Sequence, residues 1–520
     1  MSEPRADDPP LTAPAAPAGP PGPPAPYRWR WAALGVILAG EAMDMLDSLV
    51  ATIAAPSIRA ELGGGASLTQ WLTAAYALAM AVGLITGGRL GDVVGRRRTF
   101  LIGTAGFTAA SLLCAAAVSP GGLVAARGIQ GLFGAVLIPQ GLGLIKEMFH
   151  GRELGKALGM YGPVMALSYV GGPILAGWLV DADWFGAGWR MVFLVNLPLG
   201  VLAFLGGWRF LPASPPTATT RLDLVGAVLA SAAALAVVFP LVQGRELGWP
   251  MWAFASMTAG TALFGVFGWY EKRVSRGGGD PLVVPGLFRK RAFSGGLVTG
   301  AALFAAVAGF SLALSLYFQS GLGASPLKAG LAVLPWSAGT VIGFVVVQVL
   351  DGAGALSRLG RPLVQTGVVV MAVGVGAFAG ALRWAGPEVT VWRGAPALVV
   401  VGLGTGLVMG PFFQAVLAAV EPHETGSAAG TLTAVQQFGS ALGSAVLGTV
   451  FFSVLAGRVT AATEADASSA TARPGYARAM EITLGAEAGL LALTLLASFL
   501  LPAKPGGTTA SRLTGNDVGD

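Results

Sequence analysis

The sequence alternates long apolar runs with short connections rich in charge, Gly or Pro. Fourteen runs stand out, at about 31–57, 68–88, 99–118, 122–146, 158–180, 192–211, 223–243, 250–270, 293–319, 328–350, 363–383, 395–419, 428–455 and 479–501. A helix that crosses a bilayer needs about 20 mostly apolar residues. The pattern therefore predicts an all-α integral membrane protein with 14 transmembrane helices. Residues 1–30 hold no such run before Trp31. They are rich in Pro and Ala, carry Asp7 and Asp8, and read as a disordered tail rather than a cleavable leader.

Composition closes off the alternatives. Only 11% of the 520 residues are charged and 54% are hydrophobic, whereas a soluble chain carries about 25% charged residues. A soluble fold of this size could not cover its surface with that supply. The lone Cys114 excludes an internal disulfide and reads as a packed core thiol.

Charge is also sorted. With the N-terminus in the cytoplasm, 22 of the 32 Lys and Arg residues fall in cytoplasmic segments and nine in outside segments. The positive-inside rule then places both termini inside. The net charge of +6 is spread over short loops rather than one face, which argues against a nucleic-acid partner. The most basic interior loop, 271–292, reads as an orienting charge cluster at the membrane surface.

No hydrolytic engine is visible. Gly151-Arg-Glu-Leu-Gly155-Lys156 lacks the spacing and hydroxyl of a phosphate-binding loop. Gly402-Leu-Gly404-Thr-Gly406 lies inside an apolar run, where glycines serve close helix packing. His150 and His423 read as solvated helix-end residues, and no metal or cofactor site is expected.

Ionisable side chains inside the runs are few, and such groups are costly unless they function. Glu41, Asp44 and Asp47 fall at steps of three in the first run. At 100° per residue they share a face about 120° wide and span about 9 Å. They point to a water-accessible cavity or proton path. Arg127 in the fourth run is the natural counter-charge. Glu487 in the last run could equally face outside water.

Five strings then occur in order: Leu46-Asp47…Pro56; Gly88-Arg-Leu-Gly-Asp92-Val-Val-Gly95-Arg96-Arg97-Arg98; Leu123…Arg127-Gly-Ile-Gln130-Gly131; Gly159…Ser168…Gly172-Pro173…Ala176-Gly177; and Trp189-Arg190…Asn196-Leu-Pro198-Leu-Gly200. Together they resemble the major facilitator superfamily, specifically its 14-helix drug:proton antiporter branch, over about 31–501. A weaker echo of the second string, Asp351…Arg358-Leu-Gly360-Arg361, suggests duplicated halves.

The resemblance implies two six-helix bundles, 31–211 and 293–501. Between them, 212–292 would hold two extra helices and the basic loop, with cytoplasmic tails at 1–30 and 502–520. It implies a conformational switch at Gly88, Asp92, Gly95, Arg96 and Arg97, and an antiporter motif at Gly159, Gly172, Pro173 and Gly177. Asp47 is the position it assigns to coupling or cationic-drug recognition, with Arg127 as the intramembrane arginine of the fourth run. Asp44 and Glu41 go beyond the usual pattern and leave open which acid carries the proton. Gln140, Tyr317 and Gln319 are candidates for a substrate cavity.

The function expected is proton-coupled export of lipophilic small molecules such as antibiotics by a monomer in the cell membrane, using no cofactor. Its partners would be the substrate, protons and membrane lipid. Arg outnumbers Lys by 26 to six, a GC-rich codon signature of genomes in which antibiotic producers are common. The alternative is export of an endogenous metabolite, siderophore or lipid on the same scaffold. A membrane-embedded enzyme would need a convergent catalytic site, and none is visible.

Overall fold

In the computed structural model of the chain, every regular element among the described residues is helical. The structure describes residues 27–149, 153–154, 156–157, 160–213, 223–279, 281–352, 356–385, 391–417, 420, 425–456 and 473–502. Gly159, His150 and His423 lie outside these residues, as do 1–26 and 503–520.

The long helices are α1 (Arg30–Leu62), α2 (Ala66–Val94), α3 (Arg96–Ala115), α4 (Pro120–Met148), α5 (Tyr161–Ala182), α6 (Asn196–Phe210), α7 (Leu224–Gln243) and α8 (Met251–Arg276). They continue as α9 (Arg291–Leu316), α10 (Leu334–Gly352), α11 (Leu356–Ala385), α12 (Val391–Leu417), α13 (Thr425–Ala456) and α14 (Arg473–Ser498). Among the described residues, 12 helices are long and apolar enough to cross a membrane. The helices outside that count are α1, which carries Glu41, Asp44 and Asp47, and α5, which is described only in part.

Local chemistry sets several boundaries. Ser119 caps α4 by accepting from the N–H of Gly122, with Pro120 in the first turn. Asp223 caps α7 by accepting from the N–H of Gly226 at 2.8 Å. Some helices outrun their apolar stretches. α1 continues to Leu62 and α2 to Val94, so Asp92 sits in the last turn of α2 rather than beyond it. Gly95, at φ 99°, turns the chain directly into α3, a backbone that only glycine adopts without strain. Its counterpart in the later half is Gly360 at φ 29°, which kinks α11. The two related strings thus share a positive-φ glycine ahead of arginine.

The first six helices enclose two apolar clusters. One is built around Leu34, Met43, Phe100, Phe107 and Leu144, the other around Ile53, Leu72, Leu123, Trp189 and Phe193. The last six share one larger cluster rich in rings, including Phe310, Trp336, Phe378, Phe412 and Phe451. α7 and α8 pack on each other, and α7 lies across α2 and α13, with Ala74, Leu78, Ala234, Val238 and Ala441 at the seam. Gly402 and Gly406 let α12 approach α10, against the carbonyls of Trp336 and Thr340, and Gly404 lies against the carbonyl of Gly367 in α11.

The 271–292 connection is more than a charge cluster. Its Leu282, Val283 and Leu287 side chains are buried. The Val283 N–H donates to Glu271 at 2.9 Å, and Arg89 donates to the carbonyl of Pro281. The segment is a packed strap tied to α2 and α8.

Candidate functional site: a buried carboxylate at a five-element junction

Asp47 lies midway along α1 and is buried. A carboxylate there needs partners for both oxygens, because a lone charge in an apolar interior is very costly. It has them. Arg127 of α4 pairs with Oδ2. Gln130, one turn further along α4, donates to Oδ1 at 2.8 Å, and Asn196, at the start of α6, donates to the same oxygen at 2.7 Å.

A second ring of contacts holds these partners. The Arg127 guanidinium also donates to Gln130 Oε1 at 2.6 Å and to the carbonyl of Leu72 in α2 at 3.1 Å. Its carbon sits 4.4 Å from the centre of the Tyr76 ring and 5.7 Å from that of Phe193. Ser111 of α3 accepts from Gln130 at 2.9 Å and from Asn196 at 3.3 Å, and donates to the carbonyl of Phe107. Cys114 is buried with its Sγ 3.6 Å from Gln130 Oε1. Helices α4 and α6 meet the carboxylate of α1 directly, and α2 and α3 hold the partners that reach it.

The three acids of the first helix therefore separate. Asp47 belongs to the ion-paired junction. Asp44, one turn earlier, is buried and accepts from the Tyr76 hydroxyl. Tyr76 thus touches both acids' surroundings, with its ring on Arg127 and its hydroxyl on Asp44. Glu41 is half-buried nearer the α1 start. A single water-lined face does not describe them, because Asp47 is packed among side chains of four other helices.

Asp92, Arg96 and Arg97 sit at the end of the bundle that holds Gly95. Arg96 donates to Asp92 at 2.7 Å and pairs with Glu147 of α4 at 3.1 Å, so one guanidinium ties the α2–α3 turn to the end of α4. Arg97 donates to the carbonyl of Trp208 in α6. Gly88 packs against Pro139, where an added methyl would make ordinary contact.

Gln140 is fully buried between α2 and α4, donating to the carbonyls of Gly87 and Val136 at 2.8 and 2.9 Å. This corrects its assignment to a cavity wall: it is a helix–helix tie. Gln319 is likewise a tie. Its amide donates to the carbonyl of Ile53 at 2.9 Å and to Ser315 Oγ at 3.0 Å, while Ser315 donates to the carbonyl of Thr52. These bonds join α1 to the end of α9, across the two halves. Tyr317 is buried in a single π-turn, Tyr317–Gly321, and its hydroxyl has no partner among the described residues.

In the fifth-helix string, Gly172 faces Leu46 and Leu49 of α1. Gly177 lies against the backbone of Pro326 and Leu327, and Gly330 against the carbonyl of Pro173. Each half thus contributes a glycine to a backbone-to-backbone contact. Glu487 is buried, not water-facing, and its Oε2 has no donor among the described residues. Among the described residues, no three His, Cys, Asp or Glu side chains are placed to hold a metal ion.

Gln130, Asn196, Ser111 and Tyr76 complete the site, yet none was singled out as a site residue from sequence. An isolated polar residue in an apolar run has no periodic signal. Gln130 and Asn196 do fall within the fourth- and sixth-helix strings, and Asn196 is also one of only two Asn in the chain.

The sequence profile of the Major Facilitator Superfamily matches residues 37–444. The chain is 47% identical to a probable actinorhodin transporter of Streptomyces coelicolor, covering 86% of this chain and 76% of the relative. It is 35% identical to the puromycin resistance protein pur8 of Streptomyces alboniger, over 91% of both chains. A tetracenomycin C resistance and export protein of Streptomyces glaucescens is 32% identical, with 81% and 76% covered. The fold matches that of a bacterial homologue of the lysosomal transporter Spinster, inward-facing and occupied, with a TM-score of 0.63 at 15% identity, over 91% of this chain and 96% of that one. It also matches a D-xylose–proton symporter, with a TM-score of 0.59 at 14% identity, over 89% and 97%. Profile, relatives and fold agree, and the chain belongs to the Major Facilitator Superfamily as a multi-pass membrane transporter of small molecules.

Proposed function

We propose that this chain is a proton-coupled exporter of antibiotic-type lipophilic molecules, with Asp47 as the coupling carboxylate. The observation that carries the reading is the junction itself: both Asp47 oxygens are occupied by donors from two other helices. Protonating Asp47 would remove the charge that Arg127 balances and add an O–H donor among groups that already donate to both oxygens. A buried network with one charge deleted is strongly disfavoured and must repack or open to water. Proton arrival thereby becomes a change in how α1, α4 and α6 pack, which is what alternating access requires.

The names of the relatives support an antibiotic as cargo. The sorted charge supports both termini in the cytoplasm and 14 spans in a plasma membrane. With that orientation, the Gln319–Ile53 and Gly330–Pro173 contacts lie on the outer side. The structure then corresponds to a state closed outside. Asp92, Arg96 and Glu147 form a cytoplasmic latch that governs switching.

The test is Asp47→Asn in cells loaded with a fluorescent efflux substrate such as ethidium. Efflux driven by a pH gradient is expected to fall to the level of cells lacking the gene, with the protein still in the membrane. Wild-type, protonophore-sensitive efflux by the variant would refute the coupling role.

A further inference from the structure

The inserted pair α7 and α8 is not merely a spacer. A cavity of about 590 Å³ opens between it, the strap 281–288, α2, α9 and α13. That volume suits a drug-sized molecule. Most of the wall is apolar, including Phe264, Phe267 and Phe438 with Leu297 and Val298. Phe264 and Phe438 meet edge to face at 5.6 Å, one from α8 and one from α13. Many neighbouring side chains of α8, such as Trp269, are exposed on the outer surface and so face lipid.

One wall is charged. Glu271 of α8 lines the cavity and is buried. Its Oε2 accepts from the N–H of Val283, but its Oε1 has no donor among the described residues. Asp223, the α7 cap, is also buried. Its Oδ1 accepts from Gly226 and from the Tyr270 hydroxyl, and its Oδ2 has no donor among the described residues. A methyl added at Gly226 would lie 2.5 Å from Glu271 Oε1 and 2.6 Å from Asp223 Oδ2, so the two oxygens flank one point and the two carboxyls are close enough to share a hydrogen bond. Arg89, which acts on Glu271 through space, donates to the carbonyl of Pro281. Lys272, also on the wall, is exposed. Arg89 and Lys272 match the two acids in number, so the wall offers a ligand a pair of adjacent carboxyl oxygens rather than a net negative charge.

We propose that this cavity is a lateral binding site for a lipophilic cation, with aromatic rings holding its body and the Glu271–Asp223 pair receiving its protonated amine. Rings and carboxylates together are what such a ligand demands. The site lies at the α2–α13 seam, so it is a loading position beside the path between the halves. This deepens the exporter reading by giving the cargo an entrance from the bilayer at the end of the bundle that holds Arg89.

The test uses the full chain in nanodiscs with ethidium as the probe, read by fluorescence polarisation. Glu271→Gln is expected to weaken binding about tenfold, the scale of one charge-assisted contact. Val298→Trp, whose side chain is half-exposed at the wall and tolerates bulk, is expected to weaken it at least as much. Asp47→Asn is expected to bind ethidium as the wild type does, which separates this site from the coupling proposal. Unchanged binding by both cavity variants would overturn the site. So would native mass spectrometry showing a phospholipid that Val298→Trp expels and ethidium does not displace. An absence of ethidium efflux in cells, with binding lost only in the cavity variants, would count against the exporter reading and leave the site standing.

Discussion

The two six-helix halves solve the same packing problem with opposite chemistry. The first half spends its centre on a charged junction, with Asp47, Arg127, Gln130, Asn196 and Ser111 held by directed bonds. The later half fills its centre with rings, and Phe310, Phe378 and Phe412 are all fully buried. Lipid offers no hydrophobic advantage to packing one apolar helix on another, so the later half depends on close contact. The first half depends on satisfied polarity. The lesson is a division of labour: directed bonds hold the centre of one half and close ring packing holds the centre of the other.

The contrast can be broken most severely at Arg127. Arg127→Ala would leave Asp47 buried and unpaired, a loss of about 3–5 kcal/mol, and abolish transport. Thermal unfolding in detergent and dye efflux should fall together. Arg127→Ala combined with Asp47→Asn should regain stability but not transport. Recovery of efflux in the double variant would show the pair to be structural only.

Phe412→Ala sharpens the other side. The ring is fully buried and packs near Gly300 and Phe304. Its removal is expected to cost about 3–5 kcal/mol of stability. Efflux per folded molecule, normalised to surviving protein, should stay near that of the wild type. A loss of coupling here would mean that the later half also carries part of the mechanism.

The smallest effect is expected at Asp92→Asn. Its bond to Arg96 is partly solvent-exposed, and such pairs contribute about 0.2–1 kcal/mol. Arg96 keeps Glu147. Turnover should slow by about fivefold at most on that scale, with substrate affinity unchanged in a concentration series. A loss of affinity alone would contradict the switching role.

Much of the architecture was legible because apolar run length reports directly on helix length in a membrane. Each of the 14 runs coincides with a long helix, within several residues at each end. The departures have local causes. The tenth run divides at Val333 into Pro326–Ala332 and α10, and the ninth ends in a π-turn. Hydropathy is blind to both, since neither changes the apolar character of the run. At the site, Asp47 and Arg127 were visible as charges in apolar surroundings. Which of three acids met the arginine was not, because helical phase fixes a face but not what the face meets. Gln140 and Gln319 show the same limit. An amide in an apolar run reads equally as a cavity wall or as a tie between helices, and only the partner's backbone decides.

The reciprocal glycine contacts between α5 and the Pro326–Ala332 segment carry a mechanical consequence. Side chains that interlock must leave and re-enter their rotamer wells whenever two surfaces slide. At Gly177 and Gly330 backbone rests on backbone, and no rotamer has to change. Parting and re-forming this contact, as opening on that side would require, therefore asks no side-chain rearrangement of either surface.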